Sequence, residues 1–456
     1  MPVDPLRLHL PDTRTAKRGD FVLYWMQGTF RAHHNFALAY AVEEADARGL
    51  PVLVYHGLRH DYPWANDRLH TFVLESVAAL VEAFAARGIP YAFWLGQGGD
   101  EPGRTALVEL AERAALVVTD YLPTFIHPGQ IRGLRRKVTT PVVAVDSATV
   151  VPVRFHDRPH ASARGIRPVL MRALPRFLAD LPEERAPRVT RRVDLPFTPT
   201  RPTVATIPSL VAGLPIDHTV PPVAATRGGT AAGQARLAAF LANGLPRYAA
   251  ERGDPNADAT SRLSPYLHFG NVSPHEVIGA VRAVGDENAE KFLDEALVWR
   301  ELSYNFCHFD PRHRTVHAIP AWAQEQLSNH VEDPRPALFP LDRLAAAATG
   351  EPLWDAAQRQ YLREGWMHNA LRMLWGKTVL AWTPDAATAL AHLEALNNRY
   401  SLDGRDASTY ASLHWIFGKF DRPFYRRPIY GTVRYMSLKT AKDKFDVGAL
   451  LRRYPA

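Results

Sequence analysis

A single cysteine, Cys307, stands in a chain of 456 residues. An internal disulfide is therefore excluded, no metal site can be built from thiolates, and a reducing cytoplasm is the expected compartment. No apolar run reads as long enough to span a membrane, and Met1 to Asp20 alternates Pro, Arg, Asp and Lys without the apolar core of a signal peptide. Gln27-Gly28-Thr29-Phe30-Arg31 lacks the three spaced glycines of a dinucleotide fingerprint, which argues against a nicotinamide dehydrogenase. Neither a hydrolytic triad nor a metal centre is legible. The expectation is a soluble, monomeric protein without metal, apart from membranes.

What is present divides the chain in three. Residues 1–180 alternate β-rich apolar runs (Phe21–Met26, Pro51–Leu58, Tyr91–Gly96, Ala115–Tyr121 and Pro141–Ser147) with helical patterns, which predicts an α/β domain with a parallel, Rossmann-like sheet. Prolines recur through 181–229, and this stretch reads as a linker. Residues 230–456 carry Ala-, Leu- and Glu-rich helical windows and predict an all-α domain. With 46% apolar residues the chain can bury two ordinary cores.

The net charge is +7, and its distribution says more than its size. From Lys419 to Lys444 there are eight Lys and Arg against two Asp, interleaved with Phe420, Phe424, Tyr425, Tyr430 and Tyr435. Cations beside aromatic rings suit a polyanion with exposed bases, although a basic run can equally be a solvated face.

Aromatic residues are the other concentration. Trp375 and Trp382 lie seven positions apart in a window of good helix formers, so they share a helical face, roughly 10 Å apart along the axis. With Trp354 they could pass an electron stepwise; the same spacing also suits core packing. The polar string Asn397-Asn398-Arg399-Tyr400-Ser401-Leu402-Asp403-Gly404-Arg405-Asp406 that follows could face a ligand or be a solvated loop. Thr260-Ser261-Arg262-Leu263-Ser264-Pro265 reads as the start of a helix capped by Ser264, where hydroxyls and backbone N–H groups could hold a pyrophosphate or serve as ordinary caps.

Five ordered segments carry a specific resemblance: Leu263 to Gly270, Arg300 to Phe306, Leu371 to Lys377, Asn398 to Asp406, and Pro428 to Gly431 with Arg434-Tyr435-Met436. They resemble the class II cyclobutane pyrimidine dimer photolyases, and Val22 to Gln27 extends the likeness over nearly the whole chain. The resemblance implies light-driven, redox-neutral repair of cyclobutane dimers in UV-damaged double-stranded DNA, by electron transfer from excited reduced FAD to a flipped-out dimer. FAD would be held non-covalently, by Tyr248, Thr260, Ser261, Arg262, Leu263 and Ser264 on the phosphate side, and by Arg372 paired bidentately with Asp403, by Asn397 and by Asp406 near the ring. Glu295, Trp299, Met373 and Trp415 would form the dimer pocket; Glu295, on the helical face of Trp299, would be a neutral hydrogen-bond donor if desolvated, the alternative being a solvated helix acid. Trp382, Trp354 and Trp375 would restore the reduced flavin. Arg252, Lys419, Arg422, Arg426, Arg427 and Arg434 would contact DNA. An antenna such as 8-hydroxy-5-deazaflavin is compatible with the family, yet no motif here assigns one. Ala407 and Pro423-Phe424 depart from the family pattern, leaving the DNA-contacting loop open. A cryptochrome-like photoreceptor is the alternative, and a light-independent nucleic-acid-binding module a more distant one.

Overall fold

The computed structural model describes residues 2–9, 14, 17–99 and 103–456. Part of the Met1 to Asp20 segment thus lies outside the described residues. The chain forms two compact units whose segments interleave along the sequence. The first comprises residues 1–157, 171–236 and 263–280; the second comprises 158–170, 237–262 and 281–456. The proline-rich stretch 181–229 therefore belongs to the first unit, and 263–280 leaves the helical unit to join it.

The first unit holds a six-stranded sheet of β1 (Leu8–His9), β2 (Val22–Met26), β3 (Val52–Leu58), β4 (Tyr91–Leu95), β5 (Leu116–Asp120) and β6 (Val142–Val145), in the order β1-β6-β5-β2-β3-β4. All pairings are parallel except β1 with β6, so the sheet is mixed. Two residues of edge strand are too few to leave a periodic signal. Both sheet faces are covered: Val22, Tyr24 and Met26 pack in one core, and Leu23, Trp25, Leu53 and Tyr55 in the other. That accounts for unbroken apolar strands rather than an alternating pattern.

The loop after β2 is filled from within. Asp120, at the end of β5, accepts the N–H groups of Gln27 (2.8 Å), Gly28 (2.9 Å) and Thr29 (3.2 Å) and the Tyr24 hydroxyl (2.8 Å). One helix of this unit, Asp67–Ala86, is long and apolar enough by composition to cross a membrane, which amends the sequence expectation; half of its most apolar window is buried. Its buried residues Val73, Leu74, Val77, Leu80 and Phe84 belong to the sheet unit's core, and this explains their apolarity.

The second unit is helical. Four helices position the candidate site: α1 (Pro352–Glu364), α2 (Asn369–Ala381), α3 (Ala386–Tyr400) and α4 (Ala407–Ile416). Each starts on a side-chain cap, from Glu351, His368, Asp385 and Asp406 respectively, and α1 stops at Gly365 in the left-handed conformation. Gly376 lets α2 and α4 approach closely, because a Cβ there would lie 2.1 Å from Ile416 Cδ1.

Candidate functional site

The polar string after Trp382 is not a solvated loop. Asn397 and Asn398 end α3 inside the protein, and Ser401, Asp403, Arg405 and Asp406 are buried beside them. Asn397 Oδ1 accepts the Tyr361 hydroxyl at 2.8 Å, and its amide reaches Asn398 Oδ1 and Thr409 Oγ1, each at 3.4 Å. Burial pushes the Tyr361 phenol up, so it stays a proton donor. Arg372 lies over the Tyr361 ring at 5.3 Å and pairs with Asp403. The pair departs from the expected fork: one nitrogen, Nη2, reaches both Asp403 oxygens at 3.2 and 3.3 Å and also Met367 O, at 3.4 Å. Arg372 Nε is left buried without an acceptor.

That orphaned N–H tests whether a flavin fits. A buried donor without a partner is costly and calls for an acceptor-bearing ligand. Together with a neutral amide and a carboxylate already held by its cation, it offers a flavin ring hydrogen-bonding groups with little net charge. These residues fit the cofactor.

The three indoles meet in series. Trp354 stacks on Trp375 at 6.1 Å and 11° and meets Trp382 at 5.5 Å and 61°. Trp375 meets the Tyr361 ring at 5.7 Å, which joins the row to Asn397. The order is therefore Tyr361, Trp375, Trp354, Trp382. Shared helical spacing of Trp375 and Trp382 did not reveal that an indole from α1 bridges them. Both inner N–H groups are satisfied, Trp354 by Trp375 O and Trp375 by Gln358 Oε1, each at 3.1 Å.

On the phosphate side, Tyr248 is buried against Phe240 and Phe292, with its phenol pushed up to about 12, first by burial and then by Glu295. Thr260, Ser261 and Arg262 precede the short helix Ser264–His268, whose capping position is occupied by Leu263 and carries no side-chain cap. Ser264 thus stands one residue inside the helix. Leu263 and Ser264 group with the sheet unit and the preceding residues with the helical one. Asp406 caps α4 through Ser408 N at 2.8 Å and accepts the Tyr304 hydroxyl at 3.3 Å, so protein groups already engage both its oxygens.

Glu295 differs from its expectation. Its carboxylate is one-third exposed and bonded to Arg252 at 2.6 Å, not desolvated. The segment Asp294–Trp299 is a π-helix rather than the α-helix that the i,i+4 reading of Glu295 and Trp299 assumes. Trp299, Met373 and Trp415 are each half-buried. Trp299 meets Phe420 edge-on at 6.3 Å, whereas Trp415 lies under Lys377 at 5.0 Å and Arg434 at 5.5 Å. Among the described residues no ring contact joins Trp299 to Trp415.

The basic run splits in two. Lys419 donates to Ala318 O at 2.8 Å, and Arg434 forms a two-nitrogen pair with Asp421 at 2.7 and 3.0 Å. Arg422, Arg426 and Arg427 are exposed, and Tyr425 between them is 93% exposed. Residues the sequence reading missed are Tyr361, Gln358 and Trp366, the last of which lies under Arg262 at 4.5 Å. Their neighbours come from distant segments, and only the Gly365 helix stop beside Trp366 left a local trace.

Comparison with known proteins identifies the family. Residues 22–188 match the family described as DNA photolyase, and residues 292–454 match the FAD binding domain of DNA photolyase. A Methanothermobacter thermautotrophicus protein named deoxyribodipyrimidine photo-lyase is 35% identical over 437 residues, covering 96% of this chain and 95% of its own. The chain belongs to the photolyase/cryptochrome family. A second photo-lyase, from Potorous tridactylus, is 33% identical and spans 98% of this chain and 84% of its own. The fold of the family extends to a Synechocystis cryptochrome, superimposed with a TM-score of 0.68 at 18% identity over 96% of this chain and 89% of that one.

Proposed function

We propose that this member of the family is a class II cyclobutane pyrimidine dimer photolyase acting on UV-damaged double-stranded DNA. The observation that carries the reading is the unbroken row from Trp382 through Trp354, Trp375 and Tyr361 to Asn397, Arg372 and Asp403, in a chain alike over nearly its full length to proteins named deoxyribodipyrimidine photo-lyase.

FAD bound here supplies, when reduced and excited by light, the electron that splits the dimer. The chain's own residues do the rest. Arg372, oriented by Asp403, offers the ring a spare N–H, and Asn397, fixed by Tyr361, presents an uncharged amide. Tyr248, Thr260, Ser261, Arg262, Leu263 and Ser264 supply the phosphate side. Trp299, Met373 and Trp415 keep apolar surface half-exposed for a lesion removed from the base stack. Glu295 reaches that lesion only by exchanging its bond to Arg252, which couples the two residues in the pocket. Arg422, Arg426 and Arg427 meet phosphates, whereas Lys419 and Arg434 shape the loop that presents them. Any antenna in the sheet unit would meet a β2 loop whose N–H groups Asp120 already takes, which favours a chromophore without phosphate such as 8-hydroxy-5-deazaflavin.

The test is optical. The purified protein is expected to carry one FAD and, once reduced, to split cyclobutane dimers under blue light and not in the dark. A correctly folded protein that cannot be reconstituted with FAD removes the whole reading. A flavoprotein that photoreduces but leaves dimers intact supports the cryptochrome-like alternative.

A further inference from the structure

Arg262 has φ +52, a left-handed conformation that a long side chain keeps only where its neighbours hold it. The holding contacts are specific. Its guanidinium lies over Trp366 at 4.5 Å, Nε is 3.3 Å from Asp258, and Nη1 donates to Glu364 Oε2 at 2.9 Å. The other oxygen of that carboxylate, Oε1, accepts the hydroxyl of Tyr454 at 2.6 Å.

Tyr454 follows the helix Val447–Arg453 and is buried. Its hydroxyl oxygen also accepts Gln360 Nε2 at 2.8 Å; Gln360 Oε1 accepts His368 N at 3.0 Å, and His368 caps α2, the helix of Arg372. One face of α1 seats the tail: Arg359 donates to Tyr454 O at 2.9 Å, and Arg363 donates to Arg453 O at 3.3 Å and to Pro455 O at 2.8 Å. Thus the tail hydroxyl orients the carboxylate that holds Arg262, and through Gln360 the start of α2.

We propose that Tyr454 is a positioning residue: through Glu364 it locks Arg262, and with it the turn Thr260–Arg262, so that the carboxyl-terminal segment acts as a latch on cofactor release. This rests on the reading of that turn as the phosphate side of the FAD site. Among the described residues the hydroxyl is one of two groups that fix Glu364 Oε1, the other being Arg453 at 3.4 Å, and the shorter bond dominates. Tyr454→Phe keeps the ring and removes only that bond.

In the holoenzyme, Tyr454→Phe is expected to release FAD about tenfold faster, as suits the loss of a hydrogen bond to a charged group. In an Arg262→Gln background, itself fast-releasing, the same change should add less than twofold, because both act through one carboxylate. A Tyr454 that merely fills the core predicts that the two effects multiply, and that result overturns the latch. A second readout needs no flavin: trypsin should cut after Arg262 severalfold faster in flavin-free Tyr454→Phe than in flavin-free wild type. Wild-type protein that binds no FAD refutes the cofactor reading alone, and the trypsin comparison then decides whether the lock exists. Equal cleavage with equal release eliminates it.

Discussion

Two sets of large side chains in the helical unit share residue types and differ in almost everything else. Trp354, Trp375 and Trp382 are 1%, 1% and 7% exposed and touch one another in series. Trp299, Met373 and Trp415 are half-buried, and the two indoles meet Phe420 or cations instead of each other. A row that passes electrons needs ring contact and little water until its outer end, whereas a pocket wall needs an uncovered face for an incoming base to replace water. The difference lies in partners and burial, so spacing along the chain could not show it.

The sharpest way to break this comparison is at the bridging indole. Trp354→Phe removes the ring that touches both neighbours, and photoreduction of oxidised flavin should fall more than a hundredfold while repair by chemically reduced enzyme stays within twofold. The missing indole volume and its bond to Trp375 O should also lower stability by about 2 kcal/mol. Transient absorption and dimer repair under anaerobic reduction measure the two activities. Equal loss of both would mean that the buried row only packs.

Particular residues show how far the sequence could be read. The strands β2 to β6 were legible because their apolar runs are long and bounded; β1 was not, because two residues carry no period. Helices α2 to α4 overlap or adjoin segments reachable through motif resemblance, whereas α1 carries none of those segments, and the order of the indoles depends on α1 crossing α2. The π-helix at Asp294–Trp299 depends on hydrogen-bond register and leaves no compositional mark. Charge counting treated Lys419 and Arg434 like Arg426; only partners separate locked cations from available ones.

The half-buried set should answer differently to truncation. Trp415→Ala removes a wall that is partly in solvent, so dimer affinity in the dark should fall about tenfold, and stability should fall by less than the ~3–5 kcal/mol typical of a fully buried indole. Photoreduction should be unaffected. Loss of photoreduction together with dimer affinity would show that the two sets are one cluster.

Lys377, over the Trp415 ring, offers a pH test. Burial lowers its ammonium from an ordinary 10.5 to about 7, with Asp421 opposing and Arg434 reinforcing the shift. Between about pH 7 and 10.5 the unfolded lysine binds a proton that the folded one does not, so stability should rise with pH by up to ~1.4 kcal/mol per unit; below pH 7 this contribution is flat. Lys377→Met should remove that rise. It also leaves Ile416 O, which Lys377 reaches at 2.5 Å, without its donor, a penalty independent of pH. Urea unfolding at pH 7 to 9.5 reads the slopes, and identical slopes in the two proteins would mean that Lys377 is not the titrating group.

The smallest effect is expected at the exposed cations, where the comparison between locked and available charge can be sharpened. Arg427 lies 5.0 Å over Tyr435, a rim position that leaves its guanidinium edge in solvent, and Arg426 beside it is exposed as well. Neutralising both as Gln should weaken damaged and undamaged DNA by the same factor, because phosphate contacts carry no lesion information. The slope of log affinity against log salt should flatten by about 0.9 for each phosphate that the variant no longer neutralises. Arg434→Gln is the contrast: its guanidinium is held by Asp421, so the salt slope should stay near wild type while the loop loses its brace and discrimination between damaged and undamaged DNA falls. Affinities at four salt concentrations for both duplexes separate these outcomes, and a flattened slope in Arg434→Gln would show that this cation, too, faces phosphate.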